Sequence, residues 1–158
     1  MAGKKTIGQP LPAQHRIRPS DVIAIPLNEN EWGYARILNN QQMAVFRLRT
    51  KGMLELKDVI GTPLAFYVEY HELYGVSPWV YLGKWKFGSE DEAWGPATYF
   101  RDKYPNGVIT LLKRGQVIRG VTEEDIVGLS RQGLSSPNMI KEMILSKISP
   151  DEGGSVGK

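Results

Sequence analysis

Asp21-Val22-Ile23-Ala24-Ile25-Pro26-Leu27, then Trp32-Gly33-Tyr34-Ala35-Arg36-Ile37-Leu38, then Met43-Ala44-Val45-Phe46-Arg47-Leu48-Arg49, is the stretch that decides the fold. Each segment has the length of a strand and is rich in apolar, branched or aromatic residues. In the first, Ile23, Ile25 and Leu27 share one face and Val22 and Ala24 the other. In the second, Trp32, Tyr34, Arg36 and Leu38 oppose Gly33, Ala35 and Ile37. In the third, Ala44, Phe46 and Leu48 are expected inward, with Val45, Arg47 and Arg49 outward. Pro26 cannot donate a ladder hydrogen bond and marks a strand end or a sheet edge. Asn28-Glu29-Asn30-Glu31 and Asn39-Asn40 supply turn chemistry. Turns this short cannot hold a parallel crossover, so the three strands form an antiparallel meander.

Further along, residues 63–70 read as a fourth strand, Leu64, Phe66 and Val68 alternating with Ala65, Tyr67 and Glu69. Residues 79–87 are the most aromatic segment. At strand period Trp79, Tyr81 and Trp85 share a face, and Val80, Leu82 and Lys84 take the other. Tyr99-Phe100 makes a short element. Residues 107–113 make a strand that Lys113-Arg114-Gly115-Gln116 turns back into Val117-Ile118-Arg119. Helix signals come late. Thr122 ahead of Glu123, Glu124 and Asp125 caps a short helix, with Gly133 as its end. Ser136-Pro137 starts a second helix, with Met139, Ile140, Met143, Ile144 and Ile148 as its apolar stripe and Pro150 as its stop. The expected fold is α+β and mainly β. Six to eight short strands form an antiparallel meander or an SH3-like, partly open barrel with one or two C-terminal helices. Residues 1–19 read as a flexible basic arm, 20–149 as one β-rich domain and 150–158 as a disordered tail.

The 158 residues are 41% hydrophobic and 23% charged, the composition of an ordinary globular domain that can bury its own core. The absence of cysteine excludes a disulfide scaffold, a zinc ribbon and thiol catalysis. The formal charge of +3 is unevenly placed. Lys4, Lys5, Arg16 and Arg18 lie in residues 1–18 with no acid beside them, and all 17 acidic residues lie further on. The body is therefore near neutral, whereas a dedicated nucleic-acid domain carries a basic face on its folded part. No apolar run follows the basic N-terminus and none is long enough to span a bilayer. A cytoplasmic protein without membrane contact is the expectation.

Catalytic machinery is sparse. His15 and His71 are the two imidazoles, and His71, beside Glu69 and Glu72, reads as a surface histidine rather than a base. An enzyme built on Glu69, His71 and Glu72 is the weakest reading. No nucleophile elbow or phosphate loop occurs. Glu90-Asp91-Glu92 lacks the spaced ligands and turn glycine of a calcium loop and reads as a solvated acidic loop. No catalytic residue, metal or cofactor is expected. Two features point to recognition. Arg47, Arg49 and Lys51 form one outward stripe that suits phosphates or an acidic partner, or serves only as a charged solvent face. Trp79 is expected in the core, and Trp85 and Trp94 are the interface anchors. The residues expected to meet a partner are Trp85, Glu90, Asp91, Glu92, Trp94, Arg47 and Arg49.

The strand of residues 21–27, the Gly33-Tyr34-Ala35-Arg36 step and Trp79-Val80-Tyr81-Leu82-Gly83 together resemble the immunity protein 26 family of bacterial polymorphic toxin systems. The likeness spans roughly residues 17–119. Ser20 stands where the family pattern has glycine, and Ala35 where a second glycine is frequent. Small residues at 33 and 35 are expected to let another chain segment approach the sheet. The resemblance implies a cytoplasmic, non-catalytic protein that binds a cognate toxin domain and neutralises it by stoichiometric occlusion. The alternative is a nucleic-acid-binding β-barrel module that uses the basic arm with Arg47, Arg49 and Lys51.

Overall fold

The structure is a computed structural model that describes residues 17–70, 79–103 and 107–150, with the backbone of Gln9–Pro10. The strands are β1 (Gln9–Pro10), β2 (Asp21–Pro26), β3 (Glu31–Ile37), β4 (Gln42–Phe46), β5 (Thr50–Lys51), β6 (Leu64–Tyr70), β7 (Val80–Lys84), β8 (Thr98–Arg101), β9 (Ile109–Lys113), β10 (Gln116–Val121), β11 (Ser130–Arg131) and β12 (Leu134–Ser135). The helices are α1 (Leu56–Val59) and α2 (Pro137–Lys147), joined by 3-10 turns at Glu90–Ala93 and Glu123–Ile126. The larger sheet runs β1-β7-β2-β3-β4-β6-β12, with β5 added to β3. The expected meander is present: β2, β3, β4 and β6 are successive antiparallel neighbours. Asn28 Oδ1 accepts from the amides of Asn30 and Glu31 and closes the first turn. Asn40 and Gln41 close the second in the left-handed region. The fold is α+β and mainly β. The sheet does not close, because its ends, β1 and β12, do not pair with one another.

Both faces of this sheet are dry over its central strands, β2, β3 and β4. On one lie Ile23, Ile25, Ala35, Ile37, Met43 and Val45, covered by Ile140, Ile144 and Ile148 of α2 and its C-cap. On the other lie Val22, Ala24, Tyr34, Phe46 and Leu48, covered by Val59 of α1 and by the partly buried Met53, Leu54, Leu56 and Trp85. The expectation that Val45 points outward is therefore corrected: it is fully buried under α2. Gly33 is where α2 comes closest. A Cβ there would lie 3.0 Å from Ile144 Cδ1, so the expected close approach of another chain segment is made by this helix. Ser136 caps α2 by accepting from Met139 N, with Pro137 in the first turn.

Two irregularities redirect side chains. A register shift at Val45/Phe46 sets Phe46 opposite Leu64 and Val45 opposite Phe66, which leaves Ala65 as the extra residue. A second shift sets Val22 opposite Gly83 and Ile23 opposite Tyr81, with Leu82 unpaired between them. Beyond it the parity of the strand reverses. Trp79 and Tyr81 pack on the α2 face, but Trp85 packs on the opposite one, contrary to the strict alternation expected of this segment.

The strands form two sheets. The second runs β10-β9-β8-β11. Its β9–β10 hairpin turns at Arg114 and Gly115, both at positive φ, as the four-residue turn sequence requires. Buried Glu69 ties the sheets together by accepting from Thr98 Oγ1 at 3.1 Å and Gly133 N at 3.2 Å. The helix expected after Thr122 is one 3-10 turn, and α1 was not expected at all, since four residues carry no periodic signal. Ile17 is buried in the cluster that α2 covers, and Gln9–Pro10 pairs with Val80 and Tyr81. The rest of the expected arm, the expected tail from 151 on, His15, His71 and Glu72 lie outside the described residues. Among those described, no helix is long and apolar enough to cross a membrane.

Ser20 adopts φ 77°, a conformation that suits glycine, while its amide donates to Ile37 O and its carbonyl accepts from Trp85 N. Ser20→Gly relieves that strain and is expected to raise stability by roughly 0.5–1 kcal/mol in denaturant melts. Gly33→Ala is expected to cost about 1–3 kcal/mol, because fully buried Ile144 has no room to yield. Equal midpoints for either variant and the wild type would contradict these packing accounts.

Candidate functional site

Arg36 of β3 pairs in register with Ala44 of β4, and Ala44 with Tyr67 of β6. These side chains form one row across the face opposite α2. A methyl group between two long side chains leaves a gap, and the structure holds a cavity of about 230 Å³ there. Leu38, Ala44 and Phe46 line its buried base. Leu64 and Tyr67 stand at its mouth, 42% and 43% exposed.

The other wall comes from the segment after β7. Arg36 is only 8% exposed along its side chain, yet it carries a charge. Its Nε donates to Trp85 O at 3.1 Å, and Nη2 donates to the carbonyls of Trp85 and Lys86. Its guanidinium carbon lies 3.9 Å from the Trp85 ring centroid and 4.4 Å from that of Phe87. Trp85 in turn stacks on Phe46 at 6.2 Å. Nη1 faces Glu92 Oε1 at 3.5 Å. Burial pulls the Arg36 pKa down from its ordinary value, and the Glu92 carboxylate opposes the shift. Arg36 thus folds the 85–92 segment onto the sheet.

The 3-10 turn Glu90–Ala93 forms the rim. Its three acids are not a free anionic loop. Glu90 accepts from Trp94 Nε1 at 3.0 Å, Asp91 pairs with Arg114 of the β9–β10 turn, and Glu92 accepts from Gly88 N at 2.8 Å. Gly115 at the same hairpin tip abuts Trp94: a Cβ there would lie 3.5 Å from Cη2 of its ring. Of the seven residues expected to meet a partner, Trp85, Asp91, Glu92 and Trp94 line this one cavity. Glu90 adjoins it through Trp94. Arg36, Ala44, Leu64 and Tyr67 were not singled out as site residues. The available signal was Arg36 itself, a charge at an alternate position between Tyr34 and Leu38 on an apolar strand face.

Arg49 lies elsewhere and works inward, which corrects the expected outward stripe. Its Nε and Nη2 donate to Glu31 at 3.2 and 2.9 Å. Its Nη1 donates to Ile148 O at 3.0 Å and Leu145 O at 3.3 Å, which caps the C-terminus of α2. Arg47 is half-buried beside it, with its amide donating to Pro63 O. Lys51 remains exposed. Among the described residues no group of three or more His, Asp or Glu converges as a metal site would require. Compared with protein-family models, curated proteins and solved structures, the chain gives no match.

Hydrogen bonds from Arg49 and then Asn28 hold the Glu31 carboxyl below the usual carboxylate range. A depressed folded pKa means stability that is present above the unfolded value of about 4.3 and lost as pH falls through the folded one. Acid melts should therefore show Glu31→Gln losing less stability than the wild type between neutral pH and pH ~3. Arg49→Met should cost about 2 kcal/mol at neutral pH by freeing the end of α2. A parallel acid response of Glu31→Gln and wild type would count against the pairing.

Proposed function

We propose that this chain is a non-catalytic binding protein that neutralises a bacterial toxin domain by covering it, and that the cavity between Trp85, Trp94 and Tyr67 is where the partner anchors. The observation that carries this is a preformed, half-open cavity ringed by two tryptophans, a tyrosine and an arginine. Tryptophan, tyrosine and arginine dominate the energetics of protein interfaces when they surround a desolvated pocket. The rim is already shaped before any partner arrives, because each acid of its turn holds an internal donor. Preorganisation of this kind reduces the ordering cost of association. An interface of ordinary size, ~800 Å² per partner, would extend from the cavity over β6 and the β9–β10 hairpin tip. The resemblance to immunity protein 26 supplies the class of partner. The near-neutral body supplies no strong field for steering, so affinity rests on packing at the anchor.

Co-expression with a cognate toxin domain, sought among the products of neighbouring genes, should restore growth and yield a stable complex. Trp94→Ala should weaken that complex by at least about thirtyfold, a loss of ~2 kcal/mol. Glu142→Ala, exposed on α2 behind the opposite face of the sheet, should leave it unchanged. Undiminished killing by the correct toxin in the presence of the protein would end this reading. Wild-type affinity in Trp94→Ala would move the interface away from the cavity.

A further inference from the structure

We infer that the cavity beside Arg36 receives a tyrosine side chain of the partner protein. This rests on the reading of the cavity as the partner's anchor point, and goes beyond it by naming the group that enters. Size sets the first limit. Small-molecule pockets run ~300–1,000 Å³, and about 230 Å³ is room for one large side chain. The walls set the second: Leu38, Ala44, Phe46 and Leu64 call for an apolar body.

The polar groups then select the tip. Arg36 is a buried cation in the lining, and the carboxylates that could balance an entering lysine or arginine, Glu92 and Asp91, already face Arg36 and Arg114. Glu92 and Asp91 line the same space, their side chains 48% and 81% exposed, so an aspartate or glutamate would have to pass two carboxylates. A bare phenyl ring would strip water from Arg36 and Glu92 and return nothing to them. Three of the five guanidinium N–H groups are committed to the carbonyls of Trp85 and Lys86. Among the described residues the two on Nη1 face only Glu92, at 3.5 Å, a separation longer than a good charge-assisted hydrogen bond. A phenolic hydroxyl both accepts and donates. It can take a hydrogen bond from Arg36 Nη1 and give one to Glu92, while its ring lies against Trp85, Trp94 and Tyr67. Tyrosine is the neutral side chain with that combination of ring and tip.

The test titrates the full ¹⁵N-labelled chain with the blocked tripeptide acetyl-Ala-Tyr-Ala-amide, its phenylalanine counterpart and p-cresol, reading the indole N–H signals of Trp85 and Trp94. The tyrosine peptide should shift both signals saturably in the millimolar range. The phenylalanine peptide should bind at least about fivefold more weakly, because it forms neither of the two hydrogen bonds. Glu92→Gln should shrink that difference. Leu64→Trp, at the exposed mouth, should abolish binding while the rest of the spectrum is retained. Absence of a saturable shift, equal binding of the two peptides, or wild-type binding by Leu64→Trp would each overturn the inference. Saturable binding of p-cresol while the tyrosine peptide stays inert would do so too, by making the cavity a small-molecule pocket. Loss of toxin affinity in Trp94→Ala despite an inert tyrosine peptide would sink this inference and leave the function standing. A peptide that binds to a protein unable to protect against any toxin would do the reverse.

Discussion

The central strands of the larger sheet are covered on both faces, and that constraint governs the rest of the molecule. A polar side chain on a dry sheet cannot turn to water, so it must find its partners inside the protein. Each one found here ties the sheet to another segment. Tyr34 shares a hydrogen bond with Thr50 and accepts from Leu54 N, which pins the chain before α1 beneath the strands. Asp21 accepts from Arg18 N and from Lys84 Nζ, which holds the start of β2 against the end of β7. Glu69 holds the second sheet, and Arg49 holds the end of α2. The longer segments that cover the sheet are thus positioned by its polar residues, while the tight turns follow their own chemistry.

Arg36 is the instance from which a site arises. Its guanidinium draws the backbone of Trp85 and Lys86 over the sheet and sets the acidic 3-10 turn at the cavity edge. The charge is tolerated because carbonyls, two aromatic faces and Glu92 surround it. Ala44, next in the row, is too small to fill the space between Arg36 and Tyr67. A cavity edged by tryptophans is the result, and packing, not a motif, creates it.

Much of the scaffold was legible in the residues. The three-strand meander, the Arg114-Gly115 turn and the α2 stripe from Ile140 to Ile148 follow from local periodicity and turn chemistry. The interest of Trp85 and Trp94 was legible too, because each sits among polar residues and glycine. Two signals misled. The Arg47, Arg49, Lys51 alternation has the look of a solvent stripe, yet Arg49 turns to the end of α2 and only Lys51 of the three is exposed. The Trp79, Tyr81, Trp85 spacing implies a common face, yet the bulge at Leu82 reverses it. A bulge adds one residue without a distinctive composition, so no count along the chain detects it.

What the amino-acid order determined by itself is therefore the set of elements, their antiparallel succession and the apolar stripe of the C-terminal helix, since these depend on neighbours within a turn or two. What only the tertiary structure decided is which faces are closed to water, and hence that Arg36 and Arg49 work inward, that the acids of 90–92 are already engaged, and that a gap opens above Ala44. Those outcomes depend on residues tens of positions apart meeting across strands, and local sequence carries no record of such meetings.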